Sequence, residues 1–125
     1  MKTQLDTNNA PAAIGPYSQG IKAEGNLFFL SGQLPINPAD GTMPDDIQAQ
    51  TQQSLLNAQA ILKSAGLTLD DVVKTTVLLS DIADFGPMNE VYARFFGKPF
   101  PARSAFAVRD LPKGARVEIE MIAVK

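Results

Sequence analysis

Apolar and polar residues change their spacing several times along the 125-residue chain, and Pro and Gly stand where they do. After an extended start, residues 10–16 form a loop ending in Gly15-Pro16. Tyr17–Glu24 then alternates Tyr17, Gln19, Ile21 and Ala23 against Ser18, Gly20, Lys22 and Glu24, the pattern of a strand. Gly25-Asn26 predicts a tight turn into Leu27–Ser31, read as the partner strand of a hairpin. Apolar residues fill both faces of Leu27–Leu30, which predicts a strand buried on both sides. A loop with Pro35, Pro38 and Pro44 leads to a long helix over Asp45–Ala65. Its inner stripe is Ile47, Leu55, Ala58, Ile61, Leu62 and Ala65, and Gly66 suits the left-handed position beyond its end.

Val72–Ser80 is rich in β-branched residues and reads as a strand. Asp84 is placed to cap a second helix, with Pro87 tolerated in the first turn. Met88, Val91, Tyr92, Phe95 and Phe96 face inward along it, and Gly97 ends it. A Pro-rich piece introduces a strand over Arg103–Val108, Leu111–Gly114 turns the chain, and Arg116–Val124 closes it. The order is β-β-β-α-β-α-β-β. It predicts one α+β domain spanning residues 1–125, with two helices packed on one face of a sheet.

The closing strand carries a further implication. Val117, Ile119, Met121 and Ala123 form one apolar face suited to the helices. The other face runs Glu118, Glu120, Ile122, Val124, charged at first and then apolar. Helices on one side leave that second face uncovered, so another copy of the chain is expected to cover it in a closed homo-oligomer.

Composition narrows the chemistry. The chain has no Cys and no His, which removes disulfides, thiolate or imidazole metal sites, Cys nucleophiles and His-based triads. Catalysis is left to carboxylates, Arg, Lys, Tyr, hydroxyls and backbone amides. Eleven basic and thirteen acidic residues give a net charge of −2, with the basic ones scattered. That disfavours binding to a nucleic-acid backbone. Neither a signal-peptide pattern nor a membrane-length apolar run is present, so a soluble cytoplasmic protein is expected.

Several residues remain as candidates, each with an ordinary alternative. Arg103, after a Pro-flanked loop, presents a planar fork to a carboxylate or phosphate, or is a surface Arg paired to a Glu. Glu118 and Glu120 share one strand face and can exchange a proton with water, or belong to an ion pair with Arg116 or Lys113. Ser31-Gly32 offers a hydroxyl and an open amide, or is a strand-ending turn. Tyr17 closes over a ligand or fills the core, and Asn89 is otherwise a solvated or capping residue.

Together these residues lie in segments that resemble a known family. Ala13-Ile14-Gly15-Pro16-Tyr17-Ser18-Gln19-Gly20, Ser31-Gly32-Gln33-Leu34-Pro35, Asn89-Glu90-Val91-Tyr92, Pro101-Ala102-Arg103-Ser104 and Val117-Glu118-Ile119-Glu120 follow one another in order. The chain is similar, from about Ala10 to its end, to the Rid (YjgF) family and its RidA-type 2-iminobutanoate/2-iminopropanoate deaminases. The resemblance implies a chorismate-mutase-like α+β fold and a homotrimer with sites in the clefts between subunits. The implied reaction is hydrolysis of 2-imino acids or their enamines to 2-oxo acids and ammonia, without metal or organic cofactor. Arg103 matches the family arginine that binds the substrate carboxylate, and Glu118 the glutamate that positions water. Tyr17, Ser31, Gly32 and Asn89 match residues lining the pocket. Tyr17 and Ser31 are read with Glu118 as catalytic, and Gly32 and Asn89 with Arg103 as substrate-binding. Many members carry Cys where this chain has Ala105, which puts thiol-based regulation in doubt. Two other readings stay open, a non-catalytic sensor or chaperone for small carboxylates, and the endoribonuclease or translation inhibitor attributed to some relatives.

Overall fold

A computed structural model describes residues 2–125. Eight elements follow in the expected order: β1 (Lys2–Leu5), β2 (Gly20–Ala23), β3 (Leu27–Gln33), α1 (Ile47–Ser64), β4 (Val72–Leu79), α2 (Phe85–Phe95), β5 (Ala102–Ala107) and β6 (Val117–Val124). Four strands form a mixed sheet in the order β3-β6-β4-β5, with only the β4–β5 pair parallel. Parallel neighbours need a long crossover, and α2 lies within that connection. The fold is α+β, with two helices packed on one face of this sheet.

α1 starts where the Asp46 carboxylate accepts from the Ala49 amide at 2.7 Å, and it ends before Gly66, whose φ is +77°. Leu55, Ala58 and Leu62 are buried as expected, but Ile61 is 41% exposed and Ala65 is exposed as well. Gln50, Thr51 and Ser54 take inward positions instead. Alternate residues of the central strands, Val77 and Leu79 on β4 and Val117 and Ile119 on β6, are fully buried beneath the helices. Burial of each such side chain contributes about 1.5–3 kcal/mol.

Three details differ from the sequence reading. First, Tyr17–Glu24 and Leu27–Ser31 are not a hairpin. β2 pairs with β1, and β3 pairs with β6, to which the Asn26 and Lys125 backbones are already bonded in both directions at 2.9 and 3.0 Å. Alternation identifies a strand but does not choose its partner. Second, Leu27–Leu30 is not buried on both sides in the single chain, since Leu27 and Phe29 are 61% and 71% exposed. Third, Asp84 makes no cap bond to α2. Its buried carboxylate instead takes two bonds from Arg116, at 2.8 and 3.2 Å, while the Arg116 amide donates to Gln50 at 2.8 Å. That ion pair ties the start of β6 to both helices.

Candidate active site

Arg103 lies on β5, one residue after the short bridge between Ser18 and Ala102. Ser18 fastens the two loops around it, donating from its amide to Pro101 O at 3.1 Å and from its hydroxyl to Phe100 O at 2.6 Å. The arginine side chain stands in the same row as Thr75 and Met121, on the helix-covered face. There its Nη1 donates to Asn89 Oδ1 at 2.6 Å. Three rings surround the guanidinium, with Cζ at 4.9 Å from the centroid of Tyr92, 5.4 Å from Tyr17 and 5.5 Å from Phe85. Tyr92 is in turn held by a 2.7 Å bond between its hydroxyl and that of Thr75.

Burial lowers the Arg103 pKa from its ordinary value, and the nearby Tyr92 and Tyr17 hydroxyls act in the opposite direction. Among the described residues no carboxylate lies within ion-pair distance of it. A half-buried cation without a counter-ion, with most of its donors unused by protein, has the chemistry to take an anion.

A second group gathers on the other face. Val117 and Ile119 point into the core, so Glu118 between them points away from the helices. The ladder between β3 and β6 breaks between Leu30 and Gln33, and Ser31 and Gly32 occupy that irregularity. Ser31 is exposed, and the Glu118 carboxylate lies directly over Gly32. A Cβ at position 32 would come within 2.8 Å of Glu118 Cδ, so only glycine permits this approach. A cavity of about 420 Å³ adjoins Gly32, walled by Leu34, Ile36, Asn57 and Ile61.

Six candidates thus separate into two sets. Arg103, Tyr17 and Asn89 converge on one side, while Glu118, Ser31 and Gly32 converge on the other. Glu118 aligns with Leu78, which aligns with Phe106, so Arg103 and Glu118 differ by two strand positions and three residues along the sheet. Their backbones are roughly 14 Å apart, and their side chains leave from opposite faces. Within one chain the two sets do not meet. Glu120 projects on the Glu118 face in line with Thr76 and Ser104, and it is exposed. The ion pair considered for Glu118 is absent too, since Arg116 turns to Asp84.

The sequence places Tyr92 on the inner face of the second helix and gives Phe85 no position in the site. Their spacing around Asn89, at i, i+4 and i+7 on one helix face, is the signal that they serve the same spot. Among the described residues no group of three or more acidic side chains is placed to hold a metal ion.

A family model described as Endoribonuclease L-PSP matches residues 7–125. The chain belongs to the Rid (YjgF) family. It is 49% identical to the 2-iminobutanoate/2-iminopropanoate deaminase of Escherichia coli K12, over 100% of this chain and 99% of the relative. It is 54% identical to a RutC family protein of Pyrococcus horikoshii, with the same coverage. Among solved Rid structures, Escherichia coli TdcF with bound serine superposes with a TM-score of 0.78 at 44% identity, covering 98% of each chain. The two-helix, mixed-sheet fold is therefore the Rid fold. No helix of the described residues is long and apolar enough to cross a membrane.

Proposed function

We propose that this Rid chain hydrolyses small 2-imino acids to 2-oxo acids and ammonia, in a site built between two copies of the chain. The observation that carries the reading is Arg103, a caged cation with no carboxylate of its own. The deaminase name of a relative 49% identical over the whole chain supports the choice of substrate. The separation of Arg103 from Glu118 within one chain supports a shared site, because a neighbour's Glu118 face can meet the Arg103 cluster where a chain's own cannot. The exposed Leu27, Phe29 and Phe106 on the Glu118 face are suited to burial against that neighbour. A closed trimer is the proposed assembly.

In the proposed reaction Arg103 and the Gly32 amide hold the substrate carboxylate, with the iminium carbon set beside a water on Glu118. Glu118 takes a proton as the water attacks, giving a tetrahedral amino alcohol. Glu118 returns that proton to nitrogen and then takes the hydroxyl proton as the C–N bond breaks, so that ammonia leaves and the C=O of the 2-oxo acid forms. Tyr17 and Ser31 hydrogen-bond the intermediate and shield it from bulk water. The imine is already electrophilic, so roughly 10²–10⁴-fold from acid–base catalysis suffices. No cofactor takes part in this scheme. Reactive imines leak from pyridoxal-phosphate dehydratases that act on Ser or Thr, so the role proposed is the cytoplasmic removal of a damaging metabolite.

The test couples a Thr dehydratase to this protein and follows 2-oxobutanoate release in the presence of a trap for free imine. Faster release with the wild type, lost in Arg103→Ala and Glu118→Gln, is the expected result. A wild type that adds nothing, or a fully active Arg103→Ala, refutes the proposal. A second reading, a non-catalytic binder of small carboxylates, is favoured by the serine bound to TdcF. It predicts no acceleration, with ligand binding that Arg103→Ala removes and Glu118→Gln leaves. The family description names a ribonuclease, but a chain without His and with an acid excess is poorly furnished for RNA cleavage.

A further inference from the structure

A cavity of about 220 Å³ lies beside Tyr17, between the 13–18 loop and the segment that leads into β5. Gln4, Gly15, Tyr17, Lys98 and Phe100 are among its walls. Tyr17 belongs both to this cavity and to the cage of Arg103, 5.4 Å from its ring. The cavity therefore begins one ring away from the guanidinium.

Its charge is one-sided. Lys98 is the one cationic side chain in the lining, which contains no carboxylate. Among the described residues the Lys98 ammonium enters no ion pair. The walls are also fixed with respect to Arg103. Ser18 bonds Phe100 and Pro101 across the cavity, and Gln19 pins its own loop through Thr7 and Pro11 at 2.8–3.1 Å. At about 30 Å³ per water the space holds several waters, more than a one- or two-carbon side chain fills.

We infer that this cavity is a subsite for a second anionic group, so that the chain also accepts 2-imino dicarboxylates of four or five carbons. The inference rests on the imine-hydrolase reading above. Arg103 takes the carboxylate next to the imine carbon, the methylene chain passes Tyr17, and the distal carboxylate pairs with Lys98 while Gln4 adds a neutral donor. Lys98 is exposed, so water and salt weaken the pair, and its effect is on selectivity rather than on the chemical step.

The experiment generates 2-iminobutanoate, 2-iminosuccinate and 2-iminoglutarate with amino-acid oxidases and measures kcat/KM for each. In Lys98→Ala the ratio of dicarboxylate to 2-iminobutanoate activity should fall about two- to fivefold. Lys98→Glu should lower the ratio further, Lys98→Arg should restore most of it, and added salt should narrow the difference. A ratio unchanged by Lys98→Ala and Lys98→Glu overturns the subsite. If no imine is hydrolysed, the hydrolase reading fails by itself. Titration calorimetry with 2-oxoglutarate against 2-oxobutanoate then decides the subsite: selectivity lost in Lys98→Glu supports it, and equal selectivity in both proteins rejects it.

Discussion

Asn89 Oδ1 accepts a 2.6 Å hydrogen bond from Nη1 of Arg103, so a residue of α2 sets the direction in which the guanidinium leaves β5. Removing that restraint should loosen the arginine without changing its charge. Asn89→Ala is therefore expected to raise KM about tenfold, the cost of one hydrogen bond to a charged group, with a smaller change in kcat. Asn89→Asp is the sharper variant. It places a carboxylate against Arg103 and satisfies the cation internally, so it should weaken substrate binding more than Ala does, although Asp is closer to Asn in size. Equal KM values for the two variants would show that Arg103 is not the anion site.

Tyr92 lies beneath the guanidinium with its hydroxyl 2.7 Å from that of Thr75. Burial pushes its pKa up to about 12, from an ordinary value of 10.0, with the Thr75 bond and Arg103 opposing the shift. The raised value means that the fold favours the protonated phenol. The stability linked to it is fully present below pH 10 and disappears as pH rises through about 12. Absorbance at the tyrosinate band should show one of the chain's two tyrosines ionising near the top of that window, and Tyr92→Phe should delete that phase. The same variant leaves the buried Thr75 hydroxyl without its partner, which costs about 1–3 kcal/mol in urea unfolding.

Gly32 is tested by a single methyl group. A Cβ there would overlap the Glu118 carboxylate, so Gly32→Ala must push Glu118 from its place or shift the β3 irregularity. Activity is expected to fall at least tenfold through kcat, with the circular dichroism spectrum of the wild type retained, because a small displacement of a positioned proton acceptor is costly. A Gly32→Ala protein with wild-type kcat would remove Glu118 from the reaction centre.

How much of this was legible in the sequence depends on whether a feature is local. Gly66 after α1, the buried alternation Val117-Ile119-Met121 and the helix stripe through Leu55, Ala58 and Leu62 follow from period and turn chemistry, and they stand as read. Strand pairing is non-local. β2 carries the right alternation yet joins β1, a choice that no pattern within Tyr17–Ser31 contains. Phe29 is uncovered in the single chain, on the face that the closing strand's pattern expects a second copy to cover. Asp84 occupied a capping position, but Arg116, distant in sequence, offered a stronger bond than the helix amides. The convergence of Arg103, Tyr17 and Asn89 rested on motif register rather than on period. The contact of the Phe85 and Tyr92 rings with Arg103 was not legible, because an aromatic residue on an inner helix face reads the same whether it touches a leucine or an arginine.

The division of the site between two faces makes a quantitative prediction. Arg103→Ala and Glu118→Gln should each be nearly inactive alone. Mixed by co-expression or by refolding together, they can share one assembly. In the proposed cyclic trimer each interface would take Arg103 from one subunit and Glu118 from the next. Every mixed trimer then contains one interface where an intact Arg103 meets an intact Glu118. Random mixing at equal amounts should recover about a quarter of wild-type activity, since most trimers are mixed and each restores one site of its set. Recovery should follow subunit exchange rather than simple mixing of preformed assemblies. If Arg103 and Glu118 served the same site from the same chain, no mixture would exceed the sum of its parts. The two outcomes differ by far more than the error of a 2-oxobutanoate assay.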